Sequence, residues 1–551
     1  MSMSYKRMLL AGASAALAGL TAGQASAATC ESLSKLELPH ARITLATPIV
    51  GTFNEDTAFG RAGRVYENMP AFCRVRGLAT PVPGSEIEFE VWLPPAEVWT
   101  KRLHMVGNGA YSSNIYYDQM TARLKSGDVA VGTNTGHRGR ELTFAIGKPE
   151  SIVDYSHRAV HESVVAAKAV TKAYYQTPQK YAYFSGCSTG GYQGLSEAQR
   201  YPEDFDGIIA GAPGNNRTHL NFAFLWNYIA NHRKGDDSTQ IIPNAKLPMI
   251  TRAVTAKCDA LDGVKDGVIN DPPSCPFDIN SLKCKGAEND ECLTAEQIET
   301  AKKIYAGPKD ARTGQQLYPG FPFGSEGVSA EEDTDKPGWS GYWANPNKPT
   351  EPQRTDFFRY WVYDNPDWNW WTFNWGSDID VVNNKIAATF NANNPDISRF
   401  KARGGKLLMF MGWQDPVGAA GEAINYYEAV EARSSAKTAE ARRTDTQSFL
   451  RLFMVPGMEH CAGGPGATYF NSATRDSEPP VRDATHDIAV ALEKWVETGT
   501  APARLVATKF DNPKGENRKI VFQRPLCVYP QVVRYKGGPT DSADSFSCVM
   551  P

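Results

Sequence analysis

The sequence predicts an α/β protein with one mostly parallel sheet, flanked by helices and interrupted by a large insertion. Three observations predict it. Apolar strand-like runs alternate with helical spacing from residue 85 to 214. From 215 to 395 the alternation stops, in a stretch rich in Pro, Gly, Asp, Asn and Trp. Buried strands then return from 396 to the end, too few to make a sheet alone, so the two flanking parts are read as one core.

Each element follows in order. MSMSYKR carries Lys6 and Arg7, an apolar small-residue run follows, and Ala25-Ser26-Ala27 forms an A-x-A site. This is the three-part pattern of a secretory signal peptide over residues 1–27. The run is short and rich in Ala and Gly for a permanent span. The mature chain is expected to start near Ala28 and to carry no membrane anchor. SEIEFEVWL at 85–93 alternates with period two, as a half-buried strand does. LHMVGNGA at 103–110 and VAVGTNTG at 129–136 read as strands that end in Gly and Asn. Residues 153–175 have helical spacing, with Val160, Val164, Ala167 and Val170 on one side. YAYFSG is a strand, and a helix follows Gly191. The insertion is expected to form a lid, because binding residues favour loops on a rigid frame. KLLMFMGWQDP at 406–416 and SFLRLFMVPGMEH at 448–460 restore strands, and 484–499 reads as an amphipathic helix.

Composition bounds the function. The 551 residues are 41% hydrophobic and 22% charged, with a net charge of −3 and a pI near 6.4. Nothing in that balance favours nucleic acid or an acidic membrane surface. The ten cysteines all lie beyond residue 27, and none form a C-x-x-C pair. An even count in an exported chain favours disulfides over a zinc site.

Gly186-Cys187-Ser188-Thr189-Gly190 fits G-x-S-x-G between a strand and a helix. Such a turn lifts a serine out at the top of the sheet, and small residues at ±2 let the two backbones approach. The plainer reading is a tight turn without chemistry. A serine hydroxyl needs a base, and the expected chain order is Ser, acid, His. Four histidines follow: His219 and His232 in the insertion, His486 at a helix start, and His460 in a Gly-rich loop after a strand. His460 has the position of a base. Asp415, at the end of KLLMFMGWQDP, has the position of the acid that orients it. Glu422, Glu428 and Glu431 fall in a helical run and fit less well. The expected oxyanion donors are the Thr189 N–H and an N–H of GNGAYSS, from Gly109 or Ala110, with VGTNTG as the competitor.

Cys187 stands beside Ser188, and Cys461 beside His460. A bond between them would hold nucleophile and base within roughly 14 Å, Cα to Cα. It would close a very long loop and preorganise the pair. CDALDGVKDGVINDP places Asp259, Asp262, Asp266 and Asp271 in one short loop. Hard oxygen donors at this density suit Ca²⁺, although the spacing is not that of an EF-hand and Asp-Gly turns are common without a metal.

GCSTGGYQGLSEAQRYPEDFDGIIAGAP, GWQDP, PGMEHCAGGPG and CDALDGVKDGV together resemble the tannase and feruloyl esterase family of α/β-hydrolases. The resemblance covers nearly the whole mature chain. It implies an α/β-hydrolase fold with an inserted lid and Ser188, Asp415 and His460 as a catalytic triad. It implies a structural Ca²⁺ held by Asp259, Asp262, Asp266 and the carbonyls of Val264 and Val268. It also implies the disulfides Cys30–Cys73, Cys258–Cys275, Cys284–Cys292 and Cys527–Cys548 beside Cys187–Cys461. GNGAYSS departs from the family by lacking a further glycine after Gly109.

Family members cleave esters of aromatic acids such as ferulate, gallate or terephthalate, with the lid recognising the acid. Residues 357–375 hold five tryptophans and Arg359. They read either as an aromatic pocket wall, with Arg359 and Trp361 touching substrate, or as a lid core. The expectation is therefore a secreted or periplasmic serine esterase acting on small aromatic esters, feruloyl esters above all. Tannase and terephthalate monoester hydrolase are the alternatives within the class. A non-catalytic phenolic- or polysaccharide-binding protein is the alternative outside it, and a peptidase on the same fold is a further one.

Overall fold

The computed structural model describes residues 1, 28–55, 64–327, 338–472, 477–512 and 517–551. The signal peptide expected over 1–27 lies outside the described residues, Met1 aside.

The chain first builds an antiparallel ribbon from β1 (Glu37–Leu38), β2 (Ala41–Asn54), β3 (Val65–Ala79) and β4 (Ile87–Leu93). It then lays down β5 (Arg102–Val106), β6 (Val129–Thr133), β7 (Tyr181–Cys187), β8 (Gly207–Gly211), β9 (Lys406–Gly412) and β10 (Leu450–Val455), all parallel. The ten strands form one sheet in the order β1-β2-β3-β4-β6-β5-β7-β8-β9-β10. β7 therefore lies deep in the sheet, between β5 and β8. Helices α1 (Tyr117–Lys125), α2 (Ala159–Tyr175) and α3 (Thr189–Arg200) connect the parallel strands. This is the α/β-hydrolase arrangement.

Two local readings change. The alternation of SEIEFEVWL suggested one wet face, yet β4 is buried almost throughout. Its Glu90 is 1% exposed and is compensated by Arg74 at 2.6 Å, the Trp92 indole N–H at 3.0 Å and the Tyr117 hydroxyl at 2.8 Å. The helix expected from 153 begins at Pro149 and passes through one wider turn, Asp154–Arg158, before α2. Along α2, Val160, Val164, Ala167 and Val170 are all buried, as their spacing indicates.

Between Gly211 and Lys406 the chain leaves the sheet. This segment contains α4 (Arg217–Ala230), α5 (Leu247–Cys258) and α6 (Ala295–Ala306) and has a core of its own around Leu220, Ile250, Ile298 and Trp339. A second core joins Phe222, Phe357, Trp361 and Phe390 of the insertion to Tyr111 and Tyr155 of the sheet half. The insertion is thus seated on the loops that follow β5 and β6.

After the insertion come α7 (Gly421–Ala432), α8 (Ala439–Gln447) and α9 (Ile488–Thr498). α9 starts where the Asp487 carboxylate accepts from the Ala489 and Val490 N–H groups, so His486 lies in the preceding turn, bonded to Asp483 at 2.9 Å. Two hairpins end the chain: β11 (Arg504–Phe510) with β12 (Ile520–Cys527), and β13 (Val532–Tyr535) with β14 (Phe546–Val549).

At the end of the sheet away from the nucleophile, Arg102 binds Glu493 at 2.8 Å and Glu497 at 2.7 Å, tying β5 to α9. Burial pushes the Glu493 carboxyl up to about 7. A carboxyl raised above its unfolded value favours the folded state most when neutral. That contribution is full below the ordinary Glu range and is lost as pH rises through about 7. Glu493→Gln is expected to flatten the fall in stability between about pH 5 and about pH 8, by on the order of 2–3 kcal/mol, in urea melts across that range.

Candidate active site

β7 ends at Cys187 and α3 begins at Thr189, so Ser188 alone makes the turn. Its backbone lies at φ 63°, ψ −120°, a conformation costing about 1–3 kcal/mol for a residue with a side chain. Two backbone bonds hold it there: the Ser188 N–H donates to Gly211 O at 3.0 Å, and the Tyr192 N–H donates to Ser188 O at 3.0 Å. The turn also needs missing side chains. A Cβ on Gly186 would fall 2.5 Å from Gly190 Cα, one on Gly107 2.6 Å from the same atom, and one on Gly191 2.1 Å from Gly211 O. These approaches explain the glycines that flank Ser188.

Asp415 sits in the turn after β9, fully buried. Its Oδ1 accepts from the Val417 N–H at 2.7 Å and the Gly418 N–H at 3.1 Å. Its Oδ2 lies 2.7 Å from His460 Nδ1, and His460 Nε2 lies 2.8 Å from Ser188 Oγ. The backbone bonds fix the carboxylate, and the carboxylate fixes the imidazole with its Nδ1 protonated. Three residues far apart in sequence thus form one continuous hydrogen-bonded relay. His219 and His232 are occupied elsewhere, with Nδ1 on Leu317 O at 2.7 Å and on Tyr228 O at 2.8 Å.

The structure closes five disulfides: Cys30–Cys73, Cys187–Cys461, Cys258–Cys275, Cys284–Cys292 and Cys527–Cys548. Cys187 and Cys461 have Cα atoms 5.9 Å apart across a sequence separation of 274. Cys461 has φ 71°, so residues in left-handed backbone stand on both sides of the relay.

GNGAYSS and VGTNTG are separated by topology. β5 is the direct neighbour of β7, whereas β6 is one strand further out. The loop after β5 reaches the nucleophile: the Thr189 hydroxyl donates to Ala110 O at 2.7 Å, and so does the Tyr155 hydroxyl, also at 2.7 Å. Gln193 of α3 accepts from the Asn108 N–H at 2.9 Å. Thr189, Gly109 and Ala110 are therefore gathered at one point, with Ala110 held at φ 49°. Asn134 of VGTNTG instead accepts from the Glu88 and Gly136 N–H groups.

Among the proposed substrate contacts, Arg359 is taken up by Glu351 at 3.0 Å and Asp356 at 3.4 Å. Trp361 is 1% exposed, and its indole N–H donates to Leu142 O at 2.9 Å. It packs edge-on against Tyr111, at 5.6 Å between rings, so it backs the loop after β5 rather than standing free. Three residues packed around the loop after β5 carried no signal that sequence reasoning used: Tyr111, Arg217 and Arg354. Arg217 closes the run GAPGNNR just past β8, where a cation beside a nucleophile could have been noticed.

In the Asp loop, the Asp259 carboxylate accepts from the Asp266 and Gly267 N–H groups at 3.1 Å each. Asp262 accepts from the Val264 N–H at 3.0 Å and from the Asn270 amide. Asp266 is met by Arg524 of β12 at 2.5 Å. Burial, opposed by these N–H donors and reinforced by nearby carboxylates, raises both Asp259 and Asp262 above the usual carboxylate range. The Asn270 Oδ1 is buried without a partner. The loop thus gathers several carboxylates and a spare buried acceptor, the kind of donor a hard divalent cation takes, with Arg524 already meeting Asp266.

Removing the bond beside the relay tests what it contributes. Cys187→Ser with Cys461→Ser is expected to lower the melting temperature and to reduce kcat at least tenfold with a smaller change in KM. Steady-state kinetics beside thermal melts check this.

The comparisons with known proteins follow the geometry. Residues 73–549 match the family model described as tannase and feruloyl esterase. An uncharacterized esterase of Xanthomonas campestris pv. campestris is 39% identical over 98% of this chain and 95% of its own. A probable feruloyl esterase B-2 of Aspergillus oryzae is 32% identical over 99% of this chain and 100% of its own. The crystal structure of feruloyl esterase B from Aspergillus oryzae superposes with a TM-score of 0.83 at 28% identity, covering 94% of this chain and 99% of that one. With the fold, the relay and these relatives in agreement, the chain belongs to the tannase and feruloyl esterase family and is a carboxylic ester hydrolase.

Proposed function

We propose that the protein is a secreted serine esterase cleaving esters of aromatic acids, feruloyl esters above all, through an acyl-enzyme on Ser188. The observation that carries the reading is the relay Ser188–His460–Asp415, at 2.8 and 2.7 Å. The relatives named feruloyl esterase B support the acid. Five disulfides support export, because such bonds persist in oxidising compartments.

The steps follow from the atoms in place. Ser188 Oγ attacks the ester carbonyl as His460 Nε2 takes its proton. Asp415 holds the imidazole and stabilises the imidazolium. The developing oxyanion is met by the Thr189 N–H and an N–H of Gly109 or Ala110. His460 passes its proton to the leaving alcohol, and water then cleaves the acyl-enzyme through the same histidine. Asp259, Asp262, Asp266 and the carbonyls of Val264 and Val268 would hold a Ca²⁺ in the loop 259–268, where it would brace the fold and take no part in these steps.

Two outcomes check the reading. Ser188→Ala is expected to lower kcat/KM on methyl ferulate by at least about 10³-fold and to abolish labelling by a fluorophosphonate, with folding unchanged by circular dichroism. Methyl gallate run beside ferulate separates a feruloyl from a galloyl esterase. Chelation by EDTA is expected to lower the melting temperature by several degrees, Ca²⁺ to restore it, and Asp262→Asn to abolish the response; a melt indifferent to both would remove calcium from the protein.

A further inference from the structure

The catalytic relay occupies one end of the parallel strands. At the other end, among the described residues, His104 of β5, Asp128 of the turn before β6 and Glu493 of α9 converge, each offering a ligand atom within 4.8 Å of the other two. His104 and Asp128 are 1% and 0% exposed, and Glu493 is 9% exposed. Ester cleavage as read above uses none of them.

Each of the three is held through one atom and presents another. His104 Nε2 is bonded to Ser185 Oγ at 2.9 Å, and Nδ1 is buried without a partner. Asp128 Oδ1 accepts from the Thr100 hydroxyl at 2.7 Å, and Oδ2 is buried without a partner. Glu493 Oε2 accepts from Arg102 Nη1 at 2.8 Å, which leaves Oε1. A buried N–H without an acceptor is costly, so the imidazole proton belongs on Nε2, donated to Ser185, and Nδ1 carries a lone pair. The group is thus three acceptors with no donor among them. Metal ligands are oriented in this way, by a hydrogen bond to the atom that does not bind the metal.

Charge and geometry bear on the occupant. Arg102 and Arg123 face the group, and Arg102 is already committed to Glu493 and Glu497. When ionised, Asp128, Glu493 and Glu497 carry one charge more than these two arginines balance. A proton supplies it in the metal-free chain, the state to which the Glu493 profile above applies. A proton joins two acceptors and leaves the third bare, whereas one cation meets all three. Zn²⁺ takes imidazole and carboxylate donors together in a tetrahedron, while Ca²⁺ takes oxygen alone. Ligand atoms around Zn²⁺ stand roughly 3.4 Å apart, so side-chain rotation by roughly 1 Å closes the group on the ion. Arg102 and Glu493, with side chains 24% and 12% exposed, mark the way in from solvent. The geometry points to a structural Zn²⁺ site formed by His104 Nδ1, Asp128 Oδ2 and Glu493 Oε1, with water as fourth ligand, that joins β5, β6 and α9. It differs from the loop 259–268 in ligand type and in the elements that supply it.

The test uses the full chain, kept in Ca²⁺, stripped of transition metals with phenanthroline, then given Zn²⁺ and desalted. Elemental analysis is expected to find about one Zn²⁺ per chain, and the melting temperature to rise by about 3–5 °C. Co²⁺ in its place is expected to give the visible d–d bands of a four-coordinate nitrogen and oxygen site. Asp128→Asn and Glu493→Gln are each expected to cut Zn²⁺ retention at least tenfold and to remove the melting response, with turnover of 4-nitrophenyl acetate unchanged within about twofold. Less than about a tenth of a Zn²⁺ per wild-type chain, or full retention in both variants, overturns the site. The second result would put the ion on surface donors such as His486 and Asp483. Should Asp128→Asn fold poorly, Glu493→Gln at the rim decides.

Discussion

The close approach of three backbone segments around Ser188 is the constraint on which the rest depends. The ends of β5 and β7 meet the first turn of α3 at distances where a Cβ on Gly107 or Gly186 would collide with Gly190. That contact forces Ser188 into a conformation few residues accept, and it brings the loop after β5 against the N-terminus of α3. The nucleophile turn and the loop after β5 are thus set by one packing event. The sheet supplies the rigidity, since β7 has a hydrogen-bonded strand on each side over most of its length.

A second tier of order fixes the base. Asp415 is held by two backbone N–H groups, His460 by Asp415, and the loop carrying His460 by its neighbouring cysteine. Each link immobilises a group whose freedom would otherwise be lost at the moment of reaction, which is how preorganisation lowers a barrier. The insertion adds a third tier. Its aromatic core includes Tyr111 and Tyr155, so the loop after β5 is packed jointly by the sheet and the insertion.

Much of this was legible in the sequence because it is local. The strand–turn–helix around Ser188, the strand ends carrying Asp415 and His460, and the flanking cysteines all announce themselves within a few residues. The long ribbon strands β2 and β3 did not, since β2 alternates irregularly and carries a proline at Pro48. The burial of β4 was also hidden: Glu90 reads as solvated until Arg74 and Tyr117 arrive from elsewhere in the chain. The same holds for the insertion. Arg359 looked available because its partners Glu351 and Asp356 cannot be assigned from spacing, whereas Arg217 and Arg354 gave no sign of lacking partners. Whether a charge is paired is a tertiary property, and sequence patterning does not carry it.

The order of the relay along the chain has a consequence for how activity arises during synthesis. Ser188 is made before the insertion, and Asp415 and His460 after it. A nascent or truncated chain can form the nucleophile turn and much of the sheet yet holds no base to activate it. The contacts that complete the site span hundreds of residues, the kind that form late because loop closure must precede them. Hydrolysis is therefore a property of the finished chain, and its onset reports that both halves of the sheet have met.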